Sequence, residues 1–356
     1  MARKIDAQIE ELYRQISADV EKIQEGRRFL SFSRCQEKYN CSRRVLEYVL
    51  ERLCAEKRIR IQSRKGIYAA SGKNEGFRVS YVHADWPQEY QDTLYKYFER
   101  ELCSLPGVTL SRQLVPPVAK LEDYLRLLTR ENTDAAILCG GFRSFTQKDI
   151  AKLLNSDVAL IFTENHLVFR SVNLINSMPE YTGMLAADYL YKRGHRKIAL
   201  VNADDLDVCL RREIDGFIRY LELQGIAPEI IDCRHPACES SLASAEEKGK
   251  RYLQKHGVNF TAAFVCSVFS ARGFYSALND LGYSIPDDVS IIANSEVPSA
   301  AALHPPLTTI ARDFQGYAET AKKMITMIRQ GKQPGIMTVP SFIVERQSVK
   351  DISKKQ

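Results

Sequence analysis

Residues 6–25, IDAQIEELYRQISADVEKIQ, place Ile9, Leu12, Tyr13, Ile16, Val20 and Ile23 at the spacing of one helical face. Gly26 marks the end of that helix. A second, shorter helix is predicted over 32–39. Asn40 suits a left-handed turn, Cys41 follows, and Ser42 is a good N-cap for a third helix. In that helix Val45, Leu46, Val49, Leu50 and Leu53 form the apolar stripe, which leaves Arg43, Arg44, Glu47, Glu51 and Arg52 outside. The next stretch, EKRIRIQSRKGIYAA, carries the strand formers Ile59, Ile61, Ile67 and Tyr68 around a basic turn, Ser63 to Gly66. It predicts a β-hairpin with Arg64, Lys65 and Gly66 at its tip. Helix, tight turn, helix and hairpin make a winged helix-turn-helix over residues 1–70.

AASGKNEG, residues 69–76, is small and polar and reads as a joint, with the linker proper at 71–76. Beyond it strands and helices alternate. Strands are predicted at 77–84, 108–115, 134–140 and 157–164, with helices over about 87–103, 119–130 and 146–154 between them. The alternation restarts with a helix over about 181–193, a strand at 197–203 and a helix over about 208–224. Strands at 262–267 and 289–296 follow, with a helix near 271–282 between them. The fold class is therefore α/β: a winged helix-turn-helix, then a doubly wound, parallel-sheet body of two lobes over 77–350. Crossovers between the lobes are expected near 165–178 and 294–312. A ligand of such sheets sits at the carboxyl ends of the strands, in the cleft.

Charge sharpens this division. Residues 1–70 hold 16 of the 50 Lys/Arg and 10 of the 44 Asp/Glu, so the whole excess of +6 lies there and the rest of the chain balances. A basic module beside a neutral bulk is what a phosphate-binding head on a sensing body looks like, although a solvated helix pair has the same charge. Apolar content of 45% and charged content of 26% fit a soluble globular protein. No run of about 18 apolar residues suggests a membrane span, and the charged start MARKIDAQIEELYRQ lacks a signal-peptide core. The expected location is the cytoplasm. The nine cysteines include no CxxC pair. Cys233 and Cys238 flank His235, but a zinc site needs about four ligands, so reduced thiols and no metal are expected.

Ser42-Arg43-Arg44-Val45-Leu46-Glu47-Tyr48-Val49-Leu50-Glu51-Arg52-Leu53 resembles the GntR-type pattern S-R-x-T-V-R-x-A-L-x-x-L, matching at Ser42, Arg43, Leu50 and Leu53. LYRQI and GIYAA sit where that family has its first helix and its wing. The family's second arginine falls here on Glu47, and the arginine of its preceding helix on Ser33, beside Arg34. The resemblance implies DNA contacts from Arg34, Ser42, Arg43, Arg44 and Glu47, and from Arg64, Lys65 and Gly66 of the wing. A glutamate accepts from a cytosine amino group but repels phosphate.

The second lobe resembles the LacI/GalR effector domain. Leu190 and Gly194-His195-Arg196-Lys197-Ile198-Ala199 match L-x-x-x-G-H-R-x-I-A. Asp215-Gly216-Phe217 and Gly273, Ala277, Leu278 match its helices. Ile285-Pro286-Asp287-Asp288-Val289-Ser290 and Pro305-Pro306-Leu307-Thr308-Thr309-Ile310 match V-P-x-D-V-S and P-P-L-T-T-I. With the head, the chain is similar to the hybrid arabinose-repressor class of bacterial regulators. Three positions where that family holds sugar differ. They fall on Glu213 (with Arg211 close by), on Ser267-Val268, and on Ser295-Glu296 after Asn294. Losing an aspartate to valine removes acceptors a sugar hydroxyl would use, so either another ligand binds or the positions serve another purpose.

By placement at strand ends, the candidate ligand residues are Asp85, Trp86, Arg143, Glu164, Asp204, Arg211, Glu213, Asn294 and Glu296. Trp86 would stack on a ring or cap a helix beside Pro87. The resemblance implies a repressor, without cofactor, whose affinity for double-stranded operator DNA is set by a small carbohydrate-like effector. It also implies a homodimer. A regulator with an unresponsive cleft and a solute-binding protein are the alternatives. No GxSxG, P-loop, HExxH or GxGxxG motif points to an enzyme.

Overall fold

The computed structural model describes residues 2–23, 27–56, 58–62, 66–70, 76–85, 89–130, 133–140, 145–163, 172–204, 206–234 and 240–353. Its first module runs α1 (Ala2–Glu21), α2 (Phe32–Tyr39), α3 (Arg43–Ala55), β1 (Ile59–Gln62) and β2 (Gly66–Ala69). Leu12, Ile16 and Val20 of α1 meet Cys35 of α2 and Leu46, Val49, Leu50 and Leu53 of α3, and Ile59 and Ile67 close the same core. The side-chain oxygens of Ser31 and Ser42 cap the last two helices, accepting from Arg34 N at 3.3 Å and Val45 N at 3.4 Å. Asn40, at φ 43°, takes the left-handed turn between them. The first helix ends at Glu21, short of the predicted 25. β1 and β2 pair antiparallel, Ile59 opposite Ala69.

The body runs β3 (Phe77–Ala84), α4 (Glu89–Leu102), β4 (Val108–Val115), α5 (Leu121–Arg130), β5 (Ala135–Cys139), α6 (Gln147–Leu154), β6 (Ala159–Phe162) and β7 (Asn173–Asn176). Then come α7 (Pro179–Lys192), β8 (Ile198–Asn202), α8 (Val208–Leu223), β9 (Glu229–Asp232), α9 (Ser241–His256), β10 (Ala262–Val265) and α10 (Val268–Asp280). The chain closes with β11 (Ser290–Asn294), α11 (Pro298–Ala301), β12 (Thr308–Arg312), α12 (Phe314–Arg329), β13 (Ile336–Thr338) and β14 (Ser341–Val344). Two six-stranded sheets result, in the orders β13-β7-β6-β5-β3-β4 and β14-β12-β11-β10-β8-β9. AAILC, IALVN and SIIAN are buried along their whole length, as strands covered by helices on both faces must be.

Two expectations are corrected. The second sheet is not wholly parallel, because β14 runs antiparallel to β12, Thr309 opposite Val344. The second crossover does not lie within 294–312. Both β11 and β12 belong to the second sheet, where Ile310 joins Phe217 and Phe264 in one core. The chain changes lobe after Arg312, since Phe314, Tyr317 and Met324 of α12 pack with Val79 and Tyr81 of β3. It returns between β13 and β14.

Two contacts fix what these elements carry. α7 and α8 lie backbone against backbone: a Cβ on Gly183 would stand 1.9 Å from the Glu213 carbonyl oxygen, and one on Gly216 2.1 Å from that of Glu180. Only glycine allows that approach. The head, in turn, rests on the first lobe. Arg60 of β1 pairs with Asp134, whose other oxygen accepts from Arg78 N at 2.9 Å. Tyr68 Oη donates to Asp157 at 3.2 Å. Asp134 and Asp157 precede β5 and β6, so the hairpin sits at the amino ends of those strands, opposite their carboxyl ends.

Candidate functional site

α3 presents its amino-terminal end outward. Arg43 and Arg44 are exposed, Tyr48 is 56% exposed, and Glu47 is half-buried. The capped helix start adds its own positive field to the two guanidiniums, which suits an anion. Arg43 Nε donates to Glu47 Oε1 at 2.8 Å, and its guanidinium lies 5.9 Å from the Phe32 ring. Glu47 therefore holds Arg43 in place one turn below. Arg34 is exposed on α2. Gly66 opens β2 at φ 123°, where a Cβ would meet Arg28 Nε at 2.8 Å. Arg28 bridges Tyr68 and was missed in the sequence, because nothing local shows that it backs the hairpin. Arg64 and Lys65 lie outside the described residues, as do Trp86, Arg143, Glu164, His235 and Cys238.

At the carboxyl edge of the second sheet the structure brings together Asp204, Glu213 and Asn294. Asp204 follows β8 and accepts from three hydroxyls: Ser241 at 2.6 Å, Ser267 at 2.8 Å and Ser270 at 2.7 Å. Glu213 projects from α8 and is 3% exposed. Its Oε2 accepts from Asn294 Nδ2 at 2.7 Å, while Oε1 is buried without a hydrogen-bond partner. Asn294 ends β11, and its Oδ1 accepts from Ser295 N at 2.7 Å, so both ends of the amide are used and its orientation is fixed. Ser295 takes a left-handed backbone at that turn, φ 76°, a strained conformation for a residue with a side chain.

Burial pushes the Glu213 carboxyl up to about 8; Arg312 opposes the rise, and Asp207 and Asp204 reinforce it. Arg312 ends β12 and reaches across to the other lobe, donating to Tyr90 Oη at 2.9 Å. A second cross-lobe contact lies beside it. The Glu89 carboxylate, at the start of α4, accepts from Ser299 N at 2.9 Å and Ser299 Oγ at 2.6 Å, closing the amino end of α11. Nothing local in the chain marks Tyr90, Glu89 or Arg312, because each acts on a residue more than a hundred positions away.

The remaining candidates stand elsewhere. Glu296 is occupied: Arg346 Nη1 donates to it at 2.9 Å and Thr309 also bonds it. Arg211 is exposed and turns its Nε back to Leu206 O at 3.2 Å. Asp85 is exposed at the end of β3, its backbone N bonded to Val115 O. Among the described residues no group of three or more His, Cys, Asp or Glu could hold a metal ion, and no helix is long and apolar enough to cross a membrane.

Two α/β lobes joined by three crossings, with polar side chains converging on the carboxyl edge, define a periplasmic-binding-protein-like body. Residues 187–349 match the family described as periplasmic binding protein-like domain. Among curated relatives, the HTH-type transcriptional repressor PurR of Mannheimia succiniciproducens is 26% identical over 246 residues, 66% of this chain and 70% of that one. PurR of Vibrio atlanticus is 26% identical over 243 residues, with the same coverage. Among solved structures, a LacI transcriptional regulator from a Rhodococcus species superposes with a TM-score of 0.68 at 20% identity, covering 77% of this chain and 99% of that one. The lac repressor dimer bound to operator and the anti-inducer ONPF gives 0.67 at 19%, covering 78% and 96%.

Proposed function

We propose that this chain is a ligand-controlled, DNA-binding transcriptional regulator, acting as a repressor. Its head is of GntR type, a winged helix-turn-helix whose α3 enters the major groove. It works as a homodimer, so that two heads read two half-sites. The observation that carries the reading is the opposite placement of two surfaces. Exposed Arg43 and Arg44 stand on a basic head held at the amino ends of the first-lobe strands. A polar cluster stands at the carboxyl edge of the second lobe, and Tyr90 of the first lobe meets Arg312 beside it. The relatives support it too: PurR and the lac repressor are repressors by name, and a LacI family regulator from Enterococcus faecium was solved with bound ribose. A small molecule in the cleft shifts the populations of open and closed bodies, and with them the spacing of the heads.

The test is duplex selection from a random-sequence pool with the full chain, followed by titration over a range of salt. Wild type is expected to enrich a two-fold symmetric site, with affinity falling steeply as salt rises. Arg43→Ala with Arg44→Ala, present in both heads of the dimer, lowers the salt slope by up to about 4 and the affinity with it. Unchanged binding by that pair of substitutions removes α3 from the interface. A second reading, a regulator with an unresponsive cleft, draws on Glu296 and Arg211 being turned to structural partners. It predicts that no small molecule alters duplex affinity.

A further inference from the structure

Among the described residues, one acceptor of the cluster at the carboxyl edge has no donor. Asp204 accepts from Ser241, Ser267 and Ser270. Asp207 caps α8, accepting from Leu210 N at 2.8 Å. Asn294 uses both ends of its amide on Glu213 and Ser295. Glu213 Oε1 is left over, in a residue only 3% exposed. A buried acceptor left unmet costs about 1–3 kcal/mol, and such atoms in native proteins call for an explanation. A glutamine would serve Asn294 equally well and would carry no ionisable proton. The groups that act on Glu213 are Asp204 after β8, Asp207 at the start of α8 and Arg312 at the end of β12. Once an incoming cation has driven the Glu213 proton to solvent, three carboxylates stand against one guanidinium among the described residues.

We infer that the small molecule bound in this cleft carries a protonated amine on a hydroxylated frame, in the manner of an amino sugar, and that the amine docks on Glu213 Oε1. An ammonium group meets both needs: it donates to the oxygen that has no donor, and it offsets the acidic excess. A neutral hydroxyl would meet the first and leave the second. The Asn294 amide beside it, which spends one N–H on Glu213 and has a second, suits a hydroxyl of such a frame. This deepens the reading of the cleft as an effector site and rests on it.

The experiment uses the full chain and its Glu213→Gln variant. D-Glucosamine, D-galactosamine and D-mannosamine are each titrated beside the parent hexose and the N-acetyl derivative, by calorimetry at neutral pH. At least one free amine is expected to bind wild type about ten-fold or more tightly than its parent hexose and its N-acetyl form, the step that one charge-assisted hydrogen bond supplies. Glu213→Gln, while still unfolding cooperatively, loses that preference. The inference is overturned if none of the three amines binds, if the parent hexose binds as well, or if the variant keeps the preference. The two levels separate cleanly. A neutral hexose whose binding is lost in Asn294→Ala leaves the cleft reading standing and sinks only the amine. An amine that depends on Glu213 but leaves duplex affinity unchanged keeps the amine and sinks the switch.

Discussion

Replacing Glu213 by glutamine should change how stability depends on pH, and the direction follows from burial. In the unfolded chain this carboxyl gives up its proton near 4.5; in the folded protein it keeps it to about 8. Between those values the folded state binds the extra proton, so stability falls as pH rises, by up to about 1.4 kcal/mol per unit. Above the folded value the loss is complete. A shift from 4.5 to about 8 corresponds to about 5 kcal/mol at 1.36 kcal/mol per unit, an upper figure because the surroundings of a buried charge relax around it. The side chain introduced by Glu213→Gln is uncharged at every pH and still accepts from Asn294. The variant and wild type should therefore melt together near pH 4.5 and diverge as pH rises, with the variant the more stable by several kcal/mol about a unit above the folded value. Burial lowers the His83 and His195 values, which destabilises the fold as pH falls below 6.5, but it does so equally in both chains. Calorimetric melts at roughly half-unit steps across this window, without ligand, measure the gap. Parallel curves would show that Glu213 is solvated or already paired, and would refute the account of its burial.

Gly183→Ala places a methyl into the Glu213 carbonyl, and the forced separation of α7 and α8 should cost about 1–3 kcal/mol or more, read as a fall in melting temperature. Glu89→Ala removes both bonds to Ser299, each worth about 1 kcal/mol, so the body should open, with a larger radius of gyration in small-angle scattering. Asp134→Asn breaks the Arg60 pair, which is 40% exposed on the arginine side; global stability should move by less than about 1 kcal/mol, while proteolysis between head and body quickens.

What could be read from the chain, and what could not, follows from the range of the signals. The strands AAILC, IALVN and SIIAN announced themselves because burial on both faces leaves an unbroken apolar run. The α3 start was legible because Ser42, the two arginines and the stripe behind them all lie within one helix. α9 escaped notice because its buried face is mostly small: Ser244, Ala245 and Gly249, with Leu253 the one large residue. β13, with three residues, is too short to show a period. Within the site, chain position pointed to Glu213, but its partner Asn294 lies 81 residues away, and an oxygen without a donor has no sequence signature. The same distance hid why Glu296 is occupied, since Arg346 is 50 residues further on.

The geometry also constrains how a ligand at Glu213 reaches the head under the proposed function. The head grips Asp134 and Asp157 on the first lobe, and Glu213 stands in the second, so no direct contact joins them among the described residues. What joins them is the change of lobe. The crossing into α7 runs through Met178, held at φ 53° with no side-chain cap, and α7 is locked on α8, the helix that carries Glu213. The crossing into α12 runs through Asp313, the residue after Arg312, which touches Tyr90. A cation bound at Glu213 stands on α8, the helix packed against the one that follows the first of these joints. It draws on the same field as Arg312 and competes with it for the carboxylate, so its differential contact with the open and closed bodies lies at the Arg312–Tyr90 bridge. Lobe angle, not a chain of side chains through the sheet, is then the quantity the two ends of the molecule share.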